Sequence, residues 1–390
     1  MKILILSFYY EPDLSAGSFR SSSLVKELKC QLGNNDTIDV VTTMPNRYSN
    51  FKTSSKEFEK DDNINIRRIK ISNHKSGFID QSFSYIFYLI QVIKFTNGKN
   101  YDLVFATTSR LFTGFLGAMI AKKKKIPLYL DVRDIFADTL KSILSKTSRT
   151  ILLPVISLIE SYTYNTASKI NLVSYGFRGY LMEKDVKVPL SFFSNGIDDD
   201  FLIWNFNKRK SSQNKKIITY AGNIGKGQGL DCIIPKLSLI LGDDYEIRII
   251  GNGGAFDLLE KELYAIKTNN IKIFKPVGRK KLLEFYAETD YLFLHLNDVP
   301  AFKKVLPSKI FEYAATGKPI IAGVEGFSKK FLEENVQGVF IFKPCDEKDF
   351  ERNFKVFHEK YFDRTAFCER FSRKAIMKEL VRDLLSTVSD

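Results

Sequence analysis

Short runs of β-branched and large apolar residues recur along this chain with helical spacings between them, and the whole alternation is carried through twice. Ile3-Leu4-Ile5-Leu6 opens the series. An uninterrupted apolar run of that length suits a strand covered on both faces rather than one with a wet side. Strands are predicted over 2–8, 37–43, 64–71, 102–108, 127–133, 169–174 and 190–195. A polar, charged stretch at 205–215 then interrupts the pattern and reads as a linker. The alternation restarts with predicted strands over 216–221, 245–251, 271–277, 290–296, 319–324 and 338–342. Alternating β and α units imply mainly parallel sheets joined by right-handed crossovers. The predicted fold class is therefore α/β, two Rossmann-like domains facing a cleft. The expected division is 1–204, linker 205–215, 216–364, and a basic C-terminal helix over 365–390 packing back on the N-terminal domain.

Composition narrows the function classes. The chain has 390 residues, with Lys+Arg 59 against Asp+Glu 45, a formal charge of +14. Hydrophobic residues at 44% exclude a disordered polyelectrolyte. Cys30, Cys232, Cys345 and Cys368 stand far apart without a CxxC, and His is present only three times. Neither a disulfide-stapled scaffold nor a zinc site is expected, and a reduced cytosolic compartment fits. The first apolar run is too short for a secretory leader, and no window reaches the roughly 18 apolar residues of a spanning helix. The run over 85–95 reads as a core-facing helix. The segment 139–160 sets an apolar stripe beside Lys141, Lys146 and Arg149. Either it faces the core or it lies on an anionic bilayer. No nucleic-acid motif accompanies the positive charge.

In open parallel sheets, ligands sit beyond the carboxyl ends of the strands. After the first strand of the second half comes Gly222-Asn223-Ile224-Gly225-Lys226-Gly227-Gln228-Gly229. Its glycines suggest backbone amides approaching an anion, with Lys226 as a mobile cation. Gly251-Asn252-Gly253-Gly254 is a second permissive turn, and Lys275-Pro276-Val277-Gly278 a loop suited to a flat base. Pro307 and Ser308 start a helix that Gly317 ends. The amides of Ser308 and Lys309 would lie at its N-terminus, and Glu312 one turn in could accept from two vicinal hydroxyls. In the first half, Gly17 follows strand one, and Arg133 and Asp134 follow the strand at 127–133. They could orient a polar acceptor or form a plain buried ion pair. Asp198-Asp199-Asp200 reads as a turn rather than a metal pair, and no metal or other cofactor is expected.

Together, YAGNIGKGQGLD, VLPSKIFEYAATGKPIIAG, SNGID and DVRD resemble GT-B glycosyltransferases of family 4. More narrowly, YAGNIGKGQGLD, VLPSKIFEYAATGKPIIAG and DVRD resemble the bacterial enzymes that build O-antigen or capsule, including N-acetylfucosamine transferases. The resemblance runs over essentially the whole chain. It implies a retaining, metal-independent transfer from a nucleotide-diphosphate sugar, read as UDP-linked with an N-acetylated amino sugar, to a lipid-linked saccharide. It also implies peripheral contact with the cytoplasmic face of the inner membrane, and surface polysaccharide as the product. The donor residues it points to are Gly17, Asn223, Gly225, Lys226, Gln228, Asn252, Val277, Lys304, Ser308, Lys309 and Glu312, with Asp134 and Arg133 at the chemistry. Two departures stand out. The family's Glu-x7-Glu motif falls on Lys304 and Glu312, and its Arg and Lys in the glycine loop are replaced by Asn223 and Gln228. The alternative on the same fold is a non-hydrolysing nucleotide-sugar 2-epimerase, whose chemistry favours a His base in the cleft. His74, His295 and His358 are poorly spaced for that role.

Overall fold

Ile3, Leu4, Ile5 and Leu6 are fully buried because their strand runs through the middle of a sheet with helices on both faces. The computed structural model describes residues 1–46, 55–71, 78–143, 146–206, 215–354 and 361–389. The first sheet contains β1 (Lys2–Leu6), β2 (Thr37–Thr43), β3 (Phe58–Asp61), β4 (Ile64–Ile69), β5 (Leu103–Thr107), β6 (Leu128–Val132), β7 (Lys169–Leu172) and β8 (Leu190–Ser191). Its order is β3-β4-β2-β1-β5-β6-β7-β8. All pairs are parallel except β3 with β4. On one face the helix Ala16–Gln31 packs against the C-terminal helix Arg373–Ser389. Elsewhere around the sheet, Phe78–Thr96, Leu111–Lys124 and Lys146–Thr166 lie in sequence as neighbours.

The second sheet contains β9 (Lys216–Asn223), β10 (Tyr245–Asn252), β11 (Ile271–Phe274), β12 (Tyr291–His295), β13 (Ile320–Gly323) and β14 (Val339–Phe342). Its order, β11-β10-β9-β12-β13-β14, reverses between β9 and β12. Doubly wound sheets bind ligands beyond the strand ends at such a reversal; here the loop after β12 bonds to the loop after β9, with Asn297 N donating to Gly227 O at 2.9 Å.

Several expectations need correction. β3 was not foreseen: it is an exposed antiparallel edge strand with Glu59, Lys60 and Asp61 in place of an apolar run. The strand expected at 190–195 is reduced to Leu190–Ser191. The two units divide at Asn195/Gly196 and Ser372/Arg373, not at 204/205 and 364/365. The reason is local packing. Ile197 pairs with Ser372, Phe201 lies 6.1 Å from the Tyr286 ring, and Asp198 binds Arg279, so 196–206 belongs with the second sheet. The expected helix at 365–390 is two helices. Thr365–Arg370 packs Phe367 on Phe311 in the second unit. Arg373–Ser389 joins the first, where Asp383 accepts from Tyr129 and Ser191, both at 2.7 Å. Most of the expected linker, 207–214, lies outside the described residues. Finally, Cys232 and Cys345 form a disulfide across a sequence separation of 113, with Cα atoms 5.9 Å apart. The fold brings together two residues whose spacing gave no hint of it.

Candidate functional site

The loop after β9 is shaped from inside. Gln228 Oε1 accepts from Gly225 N at 3.2 Å and from Asn223 Nδ2 at 3.0 Å. Ile224 N donates to Asn252 O, and Gln228 N to Gly225 O, both at 3.0 Å. Asn252 Oδ1 accepts from Gly253 N at 2.7 Å. The amides of Ile224, Gly225 and Gln228 thus bond within the unit. Asn223, Gln228 and Asn252 hold its shape. Lys226 is exposed, and its carbonyl accepts from Asn297 Nδ2 at 2.9 Å.

Gly222 is required by what crosses it. Its φ is 142°, and a Cβ there would stand 2.4 Å from Lys309 Cε and 2.6 Å from Nζ. The Lys309 ammonium is held across the carboxyl end of β9, 5.0 Å from the centre of the Tyr220 ring. Lys309 opens the helix Lys309–Ala315 behind Ser308, whose side chain makes no capping hydrogen bond. Glu312 lies three positions on and shares its face. Lys304 ends the short turn Pro300–Lys304 and is half-buried. Its neighbour Lys303 is bound to Glu325 at 2.5 Å.

Arg279 is the main residue the sequence reading missed. It starts the helix Arg279–Glu288, two positions beyond the half-buried Val277. Its Nη1 lies 3.6 Å from Glu312 Oε1, and its Nη2 donates to Asp198 Oδ2 at 2.6 Å. Burial alone would lower its pKa, but the carboxylates of Glu312, Asp198 and Asp200 outweigh that and raise it. Asp198 and Asp200 are thus partners of an arginine. The signal was available: Arg279 follows β11, at the strand end where ligands are expected.

His295 was also missed. It is fully buried at the end of β12. Its Nδ1 lies 2.6 Å from Gln228 O, and its Nε2 accepts from Cys345 N at 3.0 Å. That pattern fixes the neutral Nδ1–H tautomer, and burial lowers the pKa to about 4. Both ring nitrogens are engaged with backbone, which leaves none for proton transfer. His74 and His358 lie outside the described residues.

In the first unit, Gly17 sits in the first turn after β1, where a Cβ would meet Ser109 Oγ at 3.0 Å. Asp131 is the hub of a buried network. Arg20 donates Nε and Nη2 to its two carboxylate oxygens at 2.9 Å, and Asn171 Nδ2 donates at 2.7 Å. Arg133 stands beside it, with Nη1 4.0 Å from Asp131 Oδ2. Asp134 is different. Its Oδ1 is buried with no hydrogen-bond partner among the described residues. Burial lifts its pKa to about 6 against the opposing pull of Arg133 and Arg110. A carboxyl poised near neutrality beside two arginines can orient or exchange a proton with a hydroxyl.

Residues 204–376 match the family model of glycosyl transferases group 1. The matched segment takes in most of the second unit and ends just inside the first unit's C-terminal helix. Curated proteins extend the likeness. A protein of Escherichia coli (strain K12) named as a colanic acid biosynthesis glycosyl transferase, WcaI, is 30% identical over 116 residues, 30% of this chain. One from Pseudomonas aeruginosa named as a glycosyltransferase, WbjE, is 23% identical over 271 residues, 65% of this chain. The matched segments span 28% of WcaI and 65% of WbjE. Among solved structures, Anabaena HepE in complex with UDP-glucose has a TM-score of 0.71 at 15% identity, covering 99% of this chain and 100% of that one. At that identity the likeness shows the fold: two parallel-sheet α/β units of the GT-B type.

Proposed function

We propose that this protein is a retaining glycosyltransferase of surface polysaccharide synthesis. It moves a sugar, read as an N-acetylated amino sugar, from a UDP-linked donor to a lipid-linked saccharide at the cytoplasmic face of the inner membrane. The observation that carries the proposal is the Lys309 ammonium held across Gly222 at the switch point of the second sheet, one helical turn from Glu312. A fixed cation there meets a pyrophosphate where charge grows as the sugar leaves. Lys304 and Lys226 add mobile cations, and Gly225, Ser308 and Asn252 shape the floor. Glu312, its direction set by Arg279, accepts from the ribose hydroxyls, and Val277 backs the base. Charge neutralisation by lysines needs no metal. Asp134, with Arg133 beside it, orients the acceptor hydroxyl on the first unit. The HepE complexes with UDP and UDP-glucose support a uridine donor, and the name of WcaI supports the polysaccharide reading. The epimerase reading finds no free imidazole in His295.

The test is a thermal-shift panel of nucleotide sugars followed by product analysis. The matching donor at 100 times its dissociation constant stabilises by about 2.7 kcal/mol. No shift with any UDP-sugar, or an epimerised donor formed without acceptor, would reject the reading.

A further inference from the structure

Three neighbouring helices of the first unit expose apolar residues that their own sheet does not use. In Lys146–Thr166, Ile156, Glu160, Thr163 and Tyr164 are buried. Ile151, Val155 and Leu158, at the i, i+4, i+7 spacing of a second face, are exposed, Ile151 by 67% and Leu158 by 72%. In Phe78–Thr96 the pattern repeats. Tyr88, Val92 and Thr96 are buried, whereas Ile86, Phe87, Ile90 and Ile93 are exposed, Ile86 by 52%. Leu111–Lys124 lies between the two. Its Phe112 ring is 5.2 Å from Tyr85 on one side, and its Phe115 ring 5.5 Å from Tyr162 on the other. Its own exposed apolar residue is Met119.

Charge sets the partner. Among the described side chains of these three helices, Glu160 is the sole carboxylate, and it is fully buried. Lys94, Lys122, Lys123 and Arg149 are all exposed. An apolar ridge fringed by cations, with no exposed carboxylate among those described side chains, matches the boundary of an anionic bilayer, where acyl chains take the apolar residues and headgroups the lysines. Each cation near such a surface adds attraction that salt weakens.

We infer that the face formed by Ile86, Ile90, Met119, Ile151, Val155 and Leu158 docks the first unit onto an anionic lipid bilayer. The inference deepens the proposed membrane-borne acceptor and rests on that reading. Docking places the unit that takes the acceptor at the surface where a lipid-linked saccharide is held.

The experiment is co-sedimentation of the full chain with vesicles of phosphatidylglycerol and phosphatidylethanolamine, and separately of phosphatidylcholine. The parent protein binds the anionic vesicles, less so at 0.5 M salt, and binds the neutral ones weakly. The variant Ile151→Glu/Val155→Glu/Leu158→Glu lowers binding about tenfold or more, as does Ile86→Glu/Ile90→Glu. Lys122→Glu/Lys123→Glu removes the preference for anionic lipid. Each variant keeps its unfolding cooperativity and its UDP-induced thermal shift, so loss of membrane binding is separable from loss of the donor site. No binding by the parent, or equal binding by the triple variant, overturns the inference. So does a parent dimer that the triple variant dissolves without any vesicle binding, which would assign the face to a second copy.

Discussion

Arg279 and Glu312 come from different helices and meet at 3.6 Å, and the same guanidinium reaches Asp198 at 2.6 Å. The pairing gives Glu312 a fixed direction before any ligand arrives. In the glycosyltransferase reading, Glu312→Gln keeps the fold and weakens uridine-donor binding by about 1.5–3 kcal/mol, the range for hydrogen bonds to a charged group. Arg279→Ala takes the cation away from the carboxylates of Glu312, Asp198 and Asp200. It therefore lowers both donor affinity and thermal midpoint. Calorimetric titration with UDP and thermal melts separate the two effects. Full UDP affinity in Glu312→Gln would remove Glu312 from the site.

Gly222 and Lys309 are matched in the same way. A Cβ at 222 would overlap the lysine's terminal carbon at 2.4 Å, and φ of 142° suits no L side chain. Gly222→Ala displaces the ammonium and strains the strand end, costing about 1–3 kcal/mol of stability. Lys309→Met removes the charge without the strain. Both abolish most UDP binding, and only Gly222→Ala lowers the melting point substantially. Unchanged UDP binding by Lys309→Met would move the diphosphate elsewhere.

His295 makes stability depend on pH with a definite sign. Its pKa falls from 6.5 in the unfolded chain to about 4 in the folded one because burial disfavours the imidazolium. Between those values the unfolded chain binds the proton and the native state does not. Stability therefore declines as pH drops from 6.5 towards 4, by about 3 kcal/mol from this group. Asp134 has the reverse sign. Burial raises its pKa from 3.8 to about 6, so its contribution is lost as pH rises through that interval. Denaturant unfolding from pH 4 to 8 checks both. His295→Asn reduces the loss on acidification and Asp134→Asn increases it, each relative to the parent.

The Cys232–Cys345 bond ties the helix after the glycine loop to the segment after β14. Closing a loop of this length restricts the unfolded chain by about 4–5 kcal/mol on chain-entropy grounds. A reductant lowers the melting point of the parent. Cys345→Ser melts near the reduced parent and does not respond to reductant. A thiol titration of the unfolded chain gains two groups on reduction, and no gain would show that the bond is absent in solution.

Much of the fold is legible in the apolar periodicity. Runs such as Ile3–Leu6 and 291–295 can be covered only inside a parallel sheet. β3 escaped because an edge strand with one weak pairing needs no apolar run. The place of Lys309 and Glu312 in the first turn of a helix was readable, since Pro307 and Ser308 precede it and Gly317 follows it. The roles of Asn223 and Gln228 were not, because whether an amide side chain meets a ligand or its own loop depends on distances that spacing does not encode.

The sequence by itself determined that this chain forms two α/β units and which strand ends carry glycine, lysine and acid, because burial periodicity and backbone freedom are local properties. Tertiary structure alone decided which residues meet. It gave Arg279 to Glu312, Lys309 to Gly222, His295 to two backbone groups and Cys232 to Cys345. It also turned the faces of the 78–96 and 146–166 helices outward. Each of these depends on strand order and helix rotation, which set distances between residues far apart in the chain.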